Sequence, residues 1–256
     1  MALLTTSGLW TSVHVHDEID STNAECARLG QAGAVVLADH QSLGRGRLGR
    51  AWQDAPRAGL AMSVVLPAPR GRDLGWLPLV AGLAVAEGIE ALAPLQARLK
   101  WPNDVLLLED GLRKVSGILC ELSSAGVVVG MGINVDQARA ELPVPTATSL
   151  ALCGESVARG DLVVAVLDRL AARYAQLTGA PEQRQSVREA YRQRCATVGR
   201  EVEIHRDAQA VGPVARTRAV GVDDDGRLVT DDGSGPVAVA AGDVVHVRGA
   251  GAAGQA

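Results

Sequence analysis

Between Arg98 and Val135 the chain runs through apolar segments separated only by tight-turn residues. A short segment at Arg98 meets a turn fixed by Pro102 and continues as Val105 to Leu108. Glu109-Asp110-Gly111 is a hairpin signal, and Arg113 to Glu121 returns as the partner strand. Ser124-Ala125-Gly126 turns the chain again into Val127 to Val135. Connections this short join antiparallel neighbours, because a parallel pair needs a crossover of about a dozen residues or more. The segment therefore predicts an antiparallel or mixed sheet and argues against a doubly wound parallel one.

The flanking sequence supplies the remaining elements. Strands are expected from Trp10 to Ile19, Gly33 to His40 and Gly59 to Leu66. A helix is expected from Ala24 to Gln31, with Thr22-x-x-Glu25 as a capping box. Leu74 to Leu92 reads as a long apolar helix lying against the sheet, with Pro78 near its start. Residues 161–178 and 182–196 read as two amphipathic helices. After Val198 the pattern changes to short strands: Glu201 to His205, Ala215 to Val222, Arg227 to Thr230, Val237 to Ala240 and Val244 to Val247. The expected fold class is α+β. A mixed or antiparallel sheet flanked by helices fills residues 1–197, a small β-barrel fills 198–248, and 249–256 form a disordered tail.

Composition removes several functional classes. Net charge is −4, which opposes a general nucleic-acid or anionic-membrane partner. The longest apolar run, Leu77 to Ile89, is too short to span a bilayer and contains Glu87. Aromatics make up 2% and Phe is absent, so the core must be aliphatic. Four scattered cysteines without a C-x-x-C pair, and no signal layout at the N-terminus, point to reduced thiols in the cytoplasm. His14 and His16 stand two apart on a strand with no third metal ligand nearby.

Two stretches carry candidate chemistry. Gln41-Ser42-Leu43-Gly44-Arg45-Gly46-Arg47-Leu48-Gly49-Arg50-Ala51-Trp52 interleaves glycine with arginine. Such a loop suits an anionic ligand: glycine lets backbone come close, and guanidinium forks match carboxylate and phosphate. It matches G-x-G-x-x-G formally, but no helix opens inside it, as a dinucleotide site requires. The second stretch holds both lysines of the chain, Lys100 and Lys114, among 25 basic residues. In an arginine-rich chain a surviving lysine marks a place where a compact point charge is needed. Ser21, Thr22 and Asn23 open the first helix, where they either cap it or also bind a polar ligand.

Taken together, Ser21-Thr22-Asn23, the Gln41–Trp52 loop, Lys100-Trp101-Pro102-Asn103-Asp104, Lys114 with Ser116-Gly117-Ile118-Leu119, and Gly130-Met131-Gly132-Ile133-Asn134 resemble biotin protein ligases over residues 8–248. The resemblance is to the monofunctional type, without an N-terminal DNA-binding domain. It implies a class II synthetase-like catalytic domain followed by an SH3-like barrel. It further implies activation of biotin by ATP to biotinyl-5′-AMP, then transfer to one lysine of a biotin carboxyl carrier domain of an acyl-CoA or pyruvate carboxylase. Ser21, Thr22, Asn23, Gln41, Arg45, Gly46, Arg47, Lys114 and Gly117 would face biotin. Trp52, Lys100, Asn103, Asp104, Ile118 and Asn134 would face the nucleotide. Lys114, Arg47 and Asp104 would act in catalysis, with Asp104 also a candidate Mg2+ ligand. ATP, Mg2+ and biotin are then co-substrates and metal, with no tightly bound prosthetic group. The expected assembly is a monomer or weak homodimer, without nucleic acid or membrane. A lipoate–protein ligase shares this fold and reaction logic but typically lacks the Gly/Arg loop. A non-catalytic biotin-binding module is the other alternative.

Overall fold

The chain enters the sheet through β1 (Ser12–His16), crosses one face as α1 (Thr22–Leu29) and returns as β2 (Ala34–Ala38), parallel to β1. The structure is a computed structural model that describes residues 8–53, 55–205, 216–240 and 242–247. From β2 the chain passes through the Gly/Arg loop to β3 (Gly59–Leu66) and then α2 (Leu77–Leu92). Next come β4 (Ala97–Lys100), β5 (Asp104–Leu107), β6 (Arg113–Ser123) and β7 (Gly126–Asn134). The seven strands lie in the order β1-β2-β3-β7-β6-β5-β4, antiparallel everywhere except β1–β2. The mixed sheet predicted from the hairpin signals is thus the sheet observed.

Alternation along the strands sorts its two faces. Val35, Val64, Val127 and Val129 point into the main core, against α2 and α3 (Arg159–Thr178). Ala34, Val36, Val65 and Val128 point the other way and bury Cys26 of α1. α3 is tied to α2 by a two-pronged pair, Arg173 to Glu87, at 2.5 and 2.9 Å. α4 (Pro181–Arg194) follows and leads to the second sheet. That sheet is antiparallel and five-stranded: β8 (Glu201–His205), β9 (Arg216–Val222), β10 (Leu228–Asp231), β11 (Pro236–Val239) and β12 (Asp243–His246), in the order β11-β10-β9-β8-β12. Two indoles grip its β9–β10 turn. Trp76 Nε1 donates to the Asp224 carbonyl and Trp101 Nε1 to the Gly226 carbonyl, each at 2.9 Å. The turn also presses on Gly75, where an added Cβ would lie 2.2 Å from the Asp225 carbonyl oxygen.

Three expectations shift. The helix predicted from Ala24 begins at Thr22, and its cap is Ser21, whose Oγ accepts from Ala24 N. The Thr22 capping box is therefore displaced: Glu25 pairs with Arg28 instead, and the Thr22 hydroxyl is released toward the loop. The long helix is preceded by a 3-10 turn, Gly71–Trp76, so its apolar stretch reaches 22 residues, Gly71–Leu92. That is long and apolar enough to cross a bilayer, unlike the run seen in sequence, but 67% of its most apolar 18-residue window is buried inside the protein. The expected tail 249–256 and Ala215 lie outside the described residues.

Candidate functional site

The α1 face of the sheet carries a hollow, and its cause is side-chain size. Laterally paired positions on β3, β7, β6 and β5 read Ala61, Gly132, Gly117 and Asp104 in one row, and Ser63, Gly130 and Leu119 in the next. Three glycines, an alanine and a serine leave a depression that other elements fill. An added Cβ at Gly130 would lie 2.1 Å from Asn23 Oδ1, and one at Gly132 would lie 2.3 Å from Trp52 Cε2. Both glycines are therefore set by close approach.

Ser21, Thr22 and Asn23, all buried, drop from the start of α1 into this hollow. The Thr22 amide and hydroxyl both donate to Gln41 Oε1, at 2.9 and 3.0 Å. The buried Ser63 hydroxyl lies 2.7 Å from Thr22 Oγ1 and 2.6 Å from Asn23 Oδ1. Asn23 Nδ2 donates to Glu121 Oε2 at 2.7 Å, which fixes its amide orientation. The same carboxylate oxygen accepts from Arg45 at 3.4 Å. Ser63 and Glu121 escaped the sequence reading. Their signals were faint: one hydroxyl inside an apolar strand, and a carboxylate two positions past Leu119 on the glycine-bearing face of β6.

The Gly/Arg loop forms the outer wall. It doubles back on itself, with Gly46 N donating to the Arg50 carbonyl at 2.7 Å and Trp52 N to the Gly44 carbonyl at 2.9 Å. Leu48 sits at φ 55°, a left-handed conformation that costs a non-glycine residue about 1 kcal/mol or more. Arg47 reaches across to Asn103 Oδ1 and the Gly242 carbonyl, at 3.3 and 3.4 Å. Trp52 lies on the paired glycines, and the Lys114 ammonium stands 5.7 Å from its ring centroid. That contact is a cation–π pair, which favours a flat, electron-rich surface beside a positive charge.

Lys114 gets there by a bulge. The β5–β6 register shifts between Val105 and Leu106, so one extra β6 residue brings Lys114 onto the face of Gly117. Its Nζ lies 2.6 Å from Asp104 Oδ1, and Lys100 Nζ lies 3.6 Å from Asp104 Oδ2. Both lysines thus converge on one carboxylate. Asn103 is braced by Nδ2 donation to the Ile118 carbonyl at 2.9 Å. The enclosed part of the hollow measures about 120 Å3 and opens, past Arg45, Arg47 and Asn103, into a cleft of about 630 Å3. The enclosed part is lined by Arg45, Arg47, Arg50 and Lys114 and by the carboxylate of Asp104, with Glu121 drawn up against Arg45. This concentration of guanidinium and ammonium groups suits an anionic ligand.

Two expected site residues stand elsewhere. Asn134 is buried behind the wall, where Nδ2 donates to the Thr148 carbonyl at 2.8 Å and Oδ1 accepts from Gln137. It holds the segment whose Thr146 and Thr148 pair with the Lys114 backbone. Lys100 also lies off the walls of these cavities and reaches the site only through Asp104. Among the described residues no group of three or more His, Cys, Asp or Glu could hold a metal ion by itself. Burial pushes the Cys26 and Cys120 thiols up to about 12, so neither is a nucleophile near neutrality.

His246 of β12 faces this region from the second sheet. Burial, with help from Lys100 and Arg200, pushes its imidazole from 6.5 down to about 4. Between those values the unfolded chain binds a proton that the native protein refuses. Stability is therefore full above about pH 6.5 and falls as pH drops toward 4. Asp20, held near 2 by Arg28, adds its own loss only at lower pH. Urea unfolding at pH 7 and pH 5 should show a fall in the wild-type midpoint that His246→Gln largely removes. An equal fall in both proteins would assign the pH dependence to other groups.

The chain matches known sequences over nearly its whole length. Residues 15–137 match the biotin/lipoate A/B protein ligase family, and residues 197–247 match the biotin protein ligase C-terminal domain. A biotin–[acetyl-CoA-carboxylase] ligase of Mycobacterium tuberculosis is 39% identical over 252 residues, covering 93% of this chain and 90% of that protein. The enzyme of the same name from Paracoccus denitrificans is 44% identical over 128 residues, covering 45% of this chain and 51% of that protein. The structure of Aquifex aeolicus biotin protein ligase in complex with biotin and ATP superposes with a TM-score of 0.77 at 29% identity, covering 94% of this chain and 100% of that one. With a relative this similar along both chains, the protein belongs to the biotin protein ligases of the biotin/lipoate A/B protein ligase family.

Proposed function

We infer that the protein is a biotin–[biotin carboxyl-carrier protein] ligase, activating biotin with ATP to biotinyl-5′-AMP and pyrophosphate and then passing biotin to a lysine ε-amine. The observation that carries this reading is the Lys114 ammonium, set between Asp104 and the Trp52 ring at the mouth of a polar-floored hollow. A carboxylate attacking a triphosphate brings two anions together, so catalysis is charge neutralisation and positioning. On arrival of the substrate carboxylate, Lys114 exchanges Asp104 for it and steadies it against the α-phosphate. Arg45, Gly46 and Arg47 close over the mixed anhydride and keep water from it. Biotin's ureido ring needs donors and acceptors together, which Ser21, Thr22, Asn23 and Gln41 supply. A dithiolane ring needs neither, which favours biotin over lipoate.

Magnesium fits the donor set. It takes one or two protein carboxylates and completes its shell with phosphate oxygens and water. Asp104 offers that carboxylate once Lys114 turns to the substrate, with Asn103 beside it. The ion would supply neutralisation of the triphosphate charge. In the second step the incoming amine attacks the acyl carbon, AMP leaves, and Asp104, the carboxylate among the residues lining the hollow, takes the amine's proton. The acceptor is a biotin carboxyl carrier domain, and the setting is the cytoplasm, where free thiols, ATP and carboxylases coexist. Residues 1–197 are the catalytic domain and 198–248 the small C-terminal barrel.

Asn23→Ala tests the floor of the hollow. It removes the contacts to Ser63 and Glu121 and one pair of ureido partners, so calorimetry should show biotin binding weakened by about ten- to a hundredfold. Unchanged affinity would reduce the Ser21–Asn23 segment to a helix cap.

A further inference from the structure

Thr197 stands where three parts of the molecule meet. It follows α4, precedes β8 and is fully buried. Its hydroxyl oxygen accepts from the Trp101 N–H at 3.0 Å and lies 3.1 Å from His246 Nε2. With a lone pair taken by Trp101, the one hydroxyl proton is free to go to the imidazole, and neutral His246 accepts it at Nε2. The relay Trp101 N–H to Thr197 Oγ1–H to His246 Nε2 thus has a direction and leaves none of these three groups unmet. Alongside it Ala196 N donates to the Leu99 carbonyl at 2.8 Å. His246 is itself fixed by the pairing of β12 with β8.

The near end of this relay is the turn that carries the chemistry. Pro102 has no N–H, so on its N-terminal side the backbone tie is the Trp101 amide, beside the indole bond to Gly226. Beyond Pro102 the chain presents Asn103, which meets Arg47, and Asp104, on which Lys114 and Lys100 converge. We propose that Thr197 is a positioning residue for the activation step: anchored by His246 of the second sheet, its hydroxyl fixes the Trp101–Asp104 turn and so the Asp104–Lys114 pair. This rests on the activation reading above and adds a division of labour. The second sheet governs the nucleotide step, while the biotin floor of Ser21, Thr22, Asn23 and Ser63 hangs from α1 and β3 and has no bond to Thr197.

The test compares Thr197→Val with Thr197→Ser in the full chain. Valine keeps the shape and loses the hydroxyl; serine restores the hydroxyl. Biotin-dependent pyrophosphate exchange gives kcat and the KM for ATP, calorimetry gives biotin affinity, and thermal melts confirm that assays run well below unfolding. The expected result is that Thr197→Val lowers kcat/KM for ATP about tenfold while biotin affinity stays within about twofold. Thr197→Ser should recover most of the loss. His246→Ala, which spares the Trp101 bond and removes only the anchor, should shift the same parameter in the same direction, and it serves if Thr197→Val fails to fold. Wild-type-like kcat/KM in these variants would overturn the proposal, as would a parallel loss of exchange and biotin affinity or a serine variant no better than valine. Absence of exchange in the wild-type protein would instead overturn the activation reading on which it rests.

Discussion

Lys114→Ala should lose biotin-dependent pyrophosphate exchange by about a thousandfold, while its melting temperature stays near that of the wild type. The size follows from the task. A single preorganised charge or donor at a developing oxyanion contributes about 10²–10³ in rate, and Lys114 must also hold the attacking carboxylate beside a polyanion. The stability expectation follows from the surroundings. The lysine side chain is about one-third exposed, and Asp104 keeps Lys100 when Lys114 is gone. A pair whose ammonium is partly open to water contributes on the order of 1 kcal/mol or less. Lys114→Arg should be almost as inactive. A planar fork does not occupy the gap of one ammonium between Asp104, Trp52 and the Gly117 backbone, where an added Cβ would already stand 3.0 Å from Nζ. Near-normal exchange in either variant would remove Lys114 from the reaction.

The second large effect is one of containment. Arg47→Gly deletes the side chain that spans from the loop to Asn103 on one side and to the Gly242 carbonyl on the other. The remaining loop has three more glycines, Gly44, Gly46 and Gly49, and keeps a longer side-chain tie to the sheet, Arg45 to Glu121 at 3.4 Å. Activation itself should survive, because Lys114 and Asp104 are untouched. The reactive anhydride should escape before transfer and acylate exposed lysines of any protein present. Incubation with a bystander protein such as serum albumin should show strong biotin labelling by the variant and almost none by the wild type. Labelling confined to the carrier domain in both would mean that the loop does not confine the intermediate.

How far the sequence carried depends on which physical signal each feature leaves. The β5–β6–β7 hairpins were legible because Gly111 and Gly126 mark the turns and the strands between them are apolar. Scarcity singled out Lys100 and Lys114, and the two ammonium groups converge on Asp104. What the sequence hid was parity. Counting by twos from Gly117 places Lys114 on the core face, and only the bulge between Val105 and Leu106 turns it to the site. Asn134 lies off the walls of the hollow for another reason: its neighbours Gly130 and Gly132 share its side of the strand, but the chain closes over the strand end with Thr148 and Gln137. Thr22 was read as a cap because composition at a helix start is ambiguous. Register decided it, giving the cap to Ser21 and the Thr22 hydroxyl to Gln41. The glycines of β7 and the serine of β3 became meaningful only when pairing set them in adjacent rows of one face.

The most direct measurement follows labelled pyrophosphate into ATP in the presence of magnesium, with and without biotin. Exchange that requires biotin, and that yields label on a carrier-domain lysine once such a domain is added, is what one ammonium and three arginines around a glycine-floored hollow should produce. Exchange that is absent, or that runs equally well without biotin, would contradict the account.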